Sequence, residues 1–165
     1  MTEQLFKKIP LFALLGVVVF FSLFHLKESP SVWYDEGLYV QVARNLAEHG
    51  KTGLMLEPGV ISHFSQLTVS YPLVYPLALV FKIFGAGILP ARLLMATIIF
   101  GLVIISYFFI KKIFSQEIAL FSLALLSTFP PLYGNGKSVL GEVPGLFFFF
   151  LFLLFINLTK TSIFK

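Results

Sequence analysis

The 165-residue chain is 58% hydrophobic and only 12% charged, and its mean hydropathy is +0.92. Soluble domains average about 45–50% apolar and about 25% charged residues, so these values exclude an ordinary water-soluble fold. The net charge of +4 is carried by Lys and Arg residues scattered in ones and twos between apolar runs. That pattern indicates membrane topology and not a nucleic-acid-binding surface. Because the chain has no cysteine, a disulfide framework and a thiolate metal site are excluded as well.

The first apolar run, residues 9–26, follows Lys7 and Lys8 and is predicted to be a membrane-spanning helix. A cleaved signal peptide is the alternative interpretation. The run is longer than the usual apolar region of about 7–15 residues, and no small-residue cleavage site follows it. An uncleaved anchor is therefore preferred.

Later apolar runs predict three more spans, because about 20 apolar residues cross a bilayer. These runs are residues 91–110, 118–133 and 143–158. The run at residues 71–84 is shorter and begins with two Tyr-Pro pairs, so it is predicted either to lie in the membrane interface or to dip into the membrane and return. The fold class predicted is an all-α integral membrane protein with about four transmembrane helices and amphipathic interfacial helices in its first outer loop.

Charge supports four spans over five. With four, six lysines and two glutamates lie on the cytoplasmic side, whereas the outer side holds six basic and six acidic residues. Five spans would place Lys111 and Lys112 outside, against the positive-inside rule. The four-span topology gives an outer loop at residues 27–90 and a short second loop at residues 133–142, both facing one compartment.

Within the first outer loop, residues 36–49 show the apolar spacing of an amphipathic helix that ends at Gly50. Asp35 is placed to cap its amino end. Trp33 and Tyr34 suit the headgroup layer, so we expect this helix to lie on the membrane surface.

The adjacent acids Asp35 and Glu36 are the candidate chemistry. Two carboxylates can serve as a general base and as a metal or hydrogen-bond partner. The alternative is structural: Asp35 only caps the helix and Glu36 is solvated.

Three segments together resemble the outer loops of GT-C glycosyltransferases. They are Trp-Tyr-Asp-Glu-Gly-Leu-Tyr at residues 33–39, Tyr-Pro-Leu-Val-Tyr-Pro-Leu at residues 71–77, and residues 136–144 before a Phe- and Leu-rich helix. The chain looks most like the bacterial branch related to dolichyl-phosphate-mannose protein mannosyltransferases and the aminoarabinose transferase of lipid A. The match covers nearly the whole chain by the order of short motifs. Family members are several-fold longer, so we expect either an amino-terminal portion or a reduced relative of the family, and in both cases a chain that is inactive alone.

The resemblance implies transfer of a sugar from a polyprenyl-phosphate carrier to a lipid, glycan or protein acceptor. The reaction would occur at the outer face of a bacterial or archaeal plasma membrane. Asp35 matches the family's catalytic acid and would deprotonate the acceptor, Glu36 would orient Asp35 or bind the acceptor, and Glu142 matches the acid of the second loop. The pattern identifies no definite cofactor, and it leaves a requirement for a divalent metal open.

Weaker candidates for substrate contact are Tyr39, His63, Tyr71, Tyr75, Arg92 and Lys137. A loop histidine more often has no such role, the cations also suit lipid headgroups, and the tyrosines also suit an interfacial belt. The competing function is a non-enzymatic helical membrane subunit or lipid-binding module. A transporter fragment is less favoured, because no span centre carries an ionisable residue.

Overall fold

A computed structural model describes residues 9–62 and 71–163, with side chains described as far as residue 157. The described chain is mostly helical, as the composition predicted. Its helices are α1 (Ile9–Leu23), α2 (Tyr34–His49), α3 (Tyr71–Phe84), α4 (Ile88–Ile113), α5 (Gln116–Ser127), α6 (Pro130–Gly134) and α7 (Glu142–Ile163). Two strands that the sequence did not predict, β1 (Leu54–Glu57) and β2 (Val60–Ser62), pair antiparallel as a hairpin.

Helix α4 is the centre of the bundle and packs against α1, α3, α5 and α7. Met95, Ile99 and Val103 are fully buried, and their spacing of four residues aligns them on one helix face. Gly101 lets α7 approach, since a Cβ atom there would lie 2.8 Å from the Phe147 ring. The core is thus arranged around one long apolar helix.

Among the described residues, α4 is the helix long and apolar enough to cross a membrane, whereas α1, α3, α5 and the described part of α7 are shorter apolar helices. The four predicted spans are therefore not confirmed. The first, predicted at residues 9–26, is helical only to Leu23, and residues 24–28 form turns. The spans predicted at residues 91–110 and 143–158 fall within α4 and α7.

The span predicted at residues 118–133 is not one continuous helix. Helix α5 ends at Ser127, and the five-residue α6 begins at Pro130. Phe129 between them is extended, with φ −82° and ψ 104°. A residue that precedes proline is pushed out of the helical region by the proline ring, so the Pro130-Pro131 pair ends α5.

The segment predicted at residues 71–84 is helix α3, with the same bounds. Its prolines do not interrupt it. Pro72 lies in the first turn, where backbone amides have no intrahelical acceptor, and Pro76 lies inside the helix. Fourteen residues span about 21 Å, which is less than the roughly 30 Å of the hydrocarbon layer. Its predicted place, in the interface or dipping into the membrane, stays a prediction.

Helix α2 begins at Tyr34 and ends as predicted at Gly50, whose left-handed φ of 69° lets its amide donate to the Leu46 carbonyl. The hairpin is attached to α2 by Asn45, whose Nδ2 atom donates to the Gly53 carbonyl at 2.8 Å. The buried face of α2 packs on α3. These contacts hold α2 against α3 and the hairpin.

Candidate active site

A cavity of about 530 Å³ opens between the start of α2, the start of α3 and the start of α7. Its lining residues are Asp35, Tyr39, Pro72, Leu73, Leu140, Gly141, Glu142, Pro144, Gly145 and Phe148. Two predicted acids from different loops, Asp35 and Glu142, thus meet at one cavity, and both side chains are exposed. The arrangement offers two carboxylates to a polar ligand, with apolar and aromatic walls around it.

Asp35 does not cap α2, which corrects the interpretation made from the sequence. The N-cap residue is Trp33, and no side chain makes a capping hydrogen bond there. Asp35 lies instead in the first turn of α2, where a negative charge interacts favourably with the helix dipole. Its carboxylate is left free of a capping role and faces the cavity.

Glu36, its neighbour, is fully buried, so the alternative in which it is solvated is wrong. Its Oε1 atom accepts from Arg92 Nε at 2.9 Å, and its Oε2 atom accepts from Arg92 Nη2 at 2.8 Å. Oε1 also accepts from the Val139 backbone amide at 3.1 Å. These are the distances of a two-pronged, charge-assisted pair. The predicted catalytic role of Glu36 stays a prediction, and its carboxylate is engaged within the protein.

Arg92 is likewise fully buried, near the start of α4. Its Nη1 atom donates to the carbonyl oxygens of Leu26 at 3.1 Å and Lys27 at 3.4 Å. With three of its nitrogens directed at protein acceptors and no exposed surface, Arg92 does not anchor to headgroups. The contact with a lipid phosphate predicted for Arg92 stays a prediction, and the side chain has no exposed surface in this conformation.

Lys137 is also buried, with 4% of its surface exposed, and its Nζ atom donates to the Phe24 carbonyl at 2.9 Å. Burial lowers the pKa of its ammonium below the ordinary 10.5, and the positive charge of Arg92 lowers that pKa further. Lys137 therefore contacts the end of α1 and not solvent. We call Glu36, Arg92, Lys137 and Val139 the buried junction.

The predicted tyrosines divide into two groups. Tyr39 is buried and lines the cavity. Tyr71 and Tyr75 are 60% and 54% exposed on α3, with ring centroids 5.4 Å apart, and they are not among the cavity's lining residues. His63 lies outside the described residues.

Among the residues that the structure describes, no three His, Asp or Glu side chains come together as a metal site. Asp35 and Glu142 are the described acids that share the cavity. Their two carboxylates are the described groups that would contact a cation entering it.

The buried junction is the main feature that the sequence analysis missed. A signal for it exists: Glu36 precedes Tyr39 by three residues and Ala43 by seven, so helical spacing puts it on the apolar face of α2. A charge on a buried face requires a partner. What the sequence does not reveal is that the partner is Arg92, 56 positions away.

Comparison of the chain with protein-family models, with curated proteins and with solved structures finds no match.

Proposed function

We propose that this chain carries the acceptor-activating site of a glycosyltransferase that uses a polyprenyl-phosphate-linked sugar. One observation carries the proposal: Asp35 and Glu142, acids at the starts of two separate helices, line the same cavity. Tyr39 and Phe148 add aromatic walls, which suits a ligand with both polar groups and apolar faces. The resemblance of residues 33–39 and 136–144 to GT-C outer loops supports the same assignment.

In the proposed reaction, the Asp35 carboxylate accepts the proton of the acceptor hydroxyl or amine. The acceptor atom forms a bond to the anomeric carbon while the bond from that carbon to the phosphate oxygen breaks. The sugar configuration inverts, and polyprenyl phosphate leaves with the bonding electrons. Glu142 would hold a hydroxyl of the sugar or acceptor by accepting its hydrogen bond.

We further propose that α1, α4, α5 and α7 lie in a bilayer, with the cavity at its outer face. Large exposed apolar side chains support this placement; on α1, α5 and α7 they include Phe12, Phe20, Phe21, Phe121, Leu125, Phe149, Phe152 and Phe155. Trp33 and Tyr34, 64% and 75% exposed beside the cavity, suit the headgroup layer.

The two ends of the bundle differ in the way this orientation requires. Lys112 Nζ donates to the Asn157 carbonyl at 3.0 Å, so the carboxyl ends of α4 and α7 lie at the end opposite the cavity. Lys111 is the neighbouring cation at that end. Two cations away from the cavity agree with a cytoplasmic location for this end.

The test uses the protein as its gene encodes it, in native membranes. Membranes are supplied with a panel of short-chain polyprenyl-phosphate hexoses and pentoses, and release of polyprenyl phosphate is measured. Asp35→Asn should lower the rate by about 10²- to 10⁴-fold, the usual contribution of a general base. Glu48→Gln, which alters an exposed acid at the far end of the same helix, is the matched control and should leave the rate unchanged.

Full activity in Asp35→Asn would contradict the assignment of the base. Absence of donor-dependent release from the unaltered protein, with every donor in the panel, would contradict glycosyl transfer itself. That second result would favour the non-enzymatic membrane subunit or lipid-binding module.

A further inference from the structure

Two of the three walls of the cavity, those from α2 and α7, are covalently next to a residue of the buried junction. Asp35 directly precedes Glu36 on α2. On the α7 wall, Leu140, Gly141 and Glu142 follow Val139 without a gap, and all three line the cavity. A contact between Glu36 and Val139 therefore connects the α2 and α7 walls. Each contact residue is next in sequence to a residue that lines the cavity.

The contact between Glu36 and Val139 is a direct hydrogen bond that is buried from solvent. The Val139 amide donates to Glu36 Oε1 at 3.1 Å, and Glu36, Val139 and Arg92 each have 0% exposure. The same oxygen accepts from Arg92 Nε at 2.9 Å, so the arginine fixes the carboxylate that holds the amide. A buried amide without an acceptor would cost about 1–3 kcal/mol, so this hydrogen bond favours one position of the second loop.

The junction is also attached to the end of α1. Arg92 Nη1 donates to the Leu26 carbonyl and Lys137 Nζ donates to the Phe24 carbonyl. The charged groups thus hold the starts of α2 and α4 and the segment before α7 against one common element. The junction thus links four segments of the chain at the end of the bundle where the cavity lies.

The hydrogen bond to Val139 gives this pair a role that apolar side chains could not take over. A buried ion pair can often be replaced by well-packed apolar side chains with no loss of stability. An apolar replacement cannot supply an acceptor for the Val139 amide. Resting on the proposed function, we infer that Glu36 is a positioning residue, which sets the separation of Asp35 and Glu142 through its hydrogen bond to the Val139 backbone.

Spin labels on α2 and α7 can report the separation of Asp35 and Glu142. Because the chain has no native cysteine, Tyr34→Cys on α2 and Phe149→Cys on α7 give two unique sites, both well exposed. The distance distribution between the labels is recorded by pulsed electron resonance in lipid nanodiscs. Two double variants are compared with the labelled parent, Glu36→Met/Arg92→Met and Glu36→Gln/Arg92→Met.

Both double variants remove the ion pair, and only the one with Gln keeps an oxygen that can accept from Val139. We expect a shifted or second distance population with Glu36→Met/Arg92→Met and the parent distribution with Glu36→Gln/Arg92→Met. A folded Glu36→Met/Arg92→Met protein with the parent distribution would overturn the proposal.

Glu36→Asp serves if the Met variant does not fold. It keeps the charge but withdraws the carboxylate by one methylene, so it too should shift the distance, and an unchanged distribution would overturn the proposal. In the transfer assay, Glu36→Asp should lower kcat by about 100-fold with little change in KM, since misplacement of about 1 Å costs that much.

The distance measurement needs no sugar transfer, so the two hypotheses fail separately. Loss of the transfer assignment would leave the label distances as they are. A parent-like distance in the variants, together with intact dependence of transfer on Asp35, would reject positioning alone.

Discussion

Asp35 and Glu36 are adjacent, have the same chemistry and occupy opposite environments. Asp35 is exposed at the cavity, whereas Glu36 is fully buried against Arg92. A rotation of about 100° along one helix separates the two positions. Burial, and not residue type, therefore divides the acidic pair into a group available to a ligand and a group engaged by the fold.

The same contrast holds between two Glu–Arg pairs. Arg92–Glu36 has no exposed surface, whereas the side chains of Arg44–Glu48 on the exposed face of α2 are 59% and 41% exposed. The nitrogen–oxygen distances are nearly the same, 2.8 Å and 2.9 Å. Exposed helix pairs contribute about 0.3–0.5 kcal/mol, and removal of one partner from a buried pair costs about 3–5 kcal/mol. Substitutions in the buried junction are therefore expected to have larger effects than substitutions of exposed charges.

The largest expected effect on stability is that of Arg92→Met, which leaves the Glu36 carboxylate buried and unpaired. The free energy of unfolding in detergent micelles should fall by about 3–5 kcal/mol. Arg44→Met is the matched control, and its effect should not exceed about 0.5 kcal/mol. Equal effects of the two substitutions would show that the Arg92 site is hydrated and not buried.

The next effect is expected at Gly136, which precedes the Lys137–Val139 part of the junction. A Cβ atom there would overlap the Leu132 carbonyl oxygen and lie 3.2 Å from Val143. Gly136→Ala should therefore lower the free energy of unfolding by about 1–3 kcal/mol, the usual cost of overpacking. Gly134→Ala, whose Cβ meets nothing within 4 Å, should be nearly neutral. The same loss in both variants would place the cause in the backbone and not in the overlap.

A smaller effect is expected from Lys137 at alkaline pH. Its folded-state pKa lies below the ordinary 10.5, so between those two values the unfolded chain binds more protons than the folded chain. The contribution of Lys137 to stability should therefore rise with pH through that window and level off above it. Lys137→Met should remove this component of the rise, as measured by the unfolding free energy at a series of pH values. An identical pH dependence in the variant would contradict the burial of a charged ammonium.

The helical character, the end of α2 at Gly50 and the bounds of α3 could be predicted from the sequence, because apolar spacing and a left-handed glycine are local signals. The cap was assigned wrongly to Asp35 because the helix begins at Tyr34, two residues earlier than predicted. Trp33 is therefore the N-cap residue. The hairpin was missed because its strands have four and three residues, too few for a period to appear.

Only some of the residues of the site could be predicted from the sequence. Asp35 and Glu142 were identified as candidates, and their common cavity depends on tertiary packing. The environments of Glu36, Arg92 and Lys137 depend on partners from distant segments, such as Phe24, 113 positions from Lys137. Charge patterns place such residues on a side of the membrane, but they do not distinguish an exposed cation from a buried one.

Asp35 and Glu142 line one cavity, and we propose that this cavity lies at the outer face of the membrane. The most direct test of this arrangement is cross-linking in intact cells with a short, membrane-impermeant, bifunctional thiol reagent, in the chain that has no native cysteine. Asp35→Cys/Glu142→Cys should cross-link from outside, while Asp35→Cys/Glu117→Cys, whose second site begins α5 at the other end of the bundle, should not. Absence of a link in the first pair, or a link only after the membrane is opened, would contradict the account.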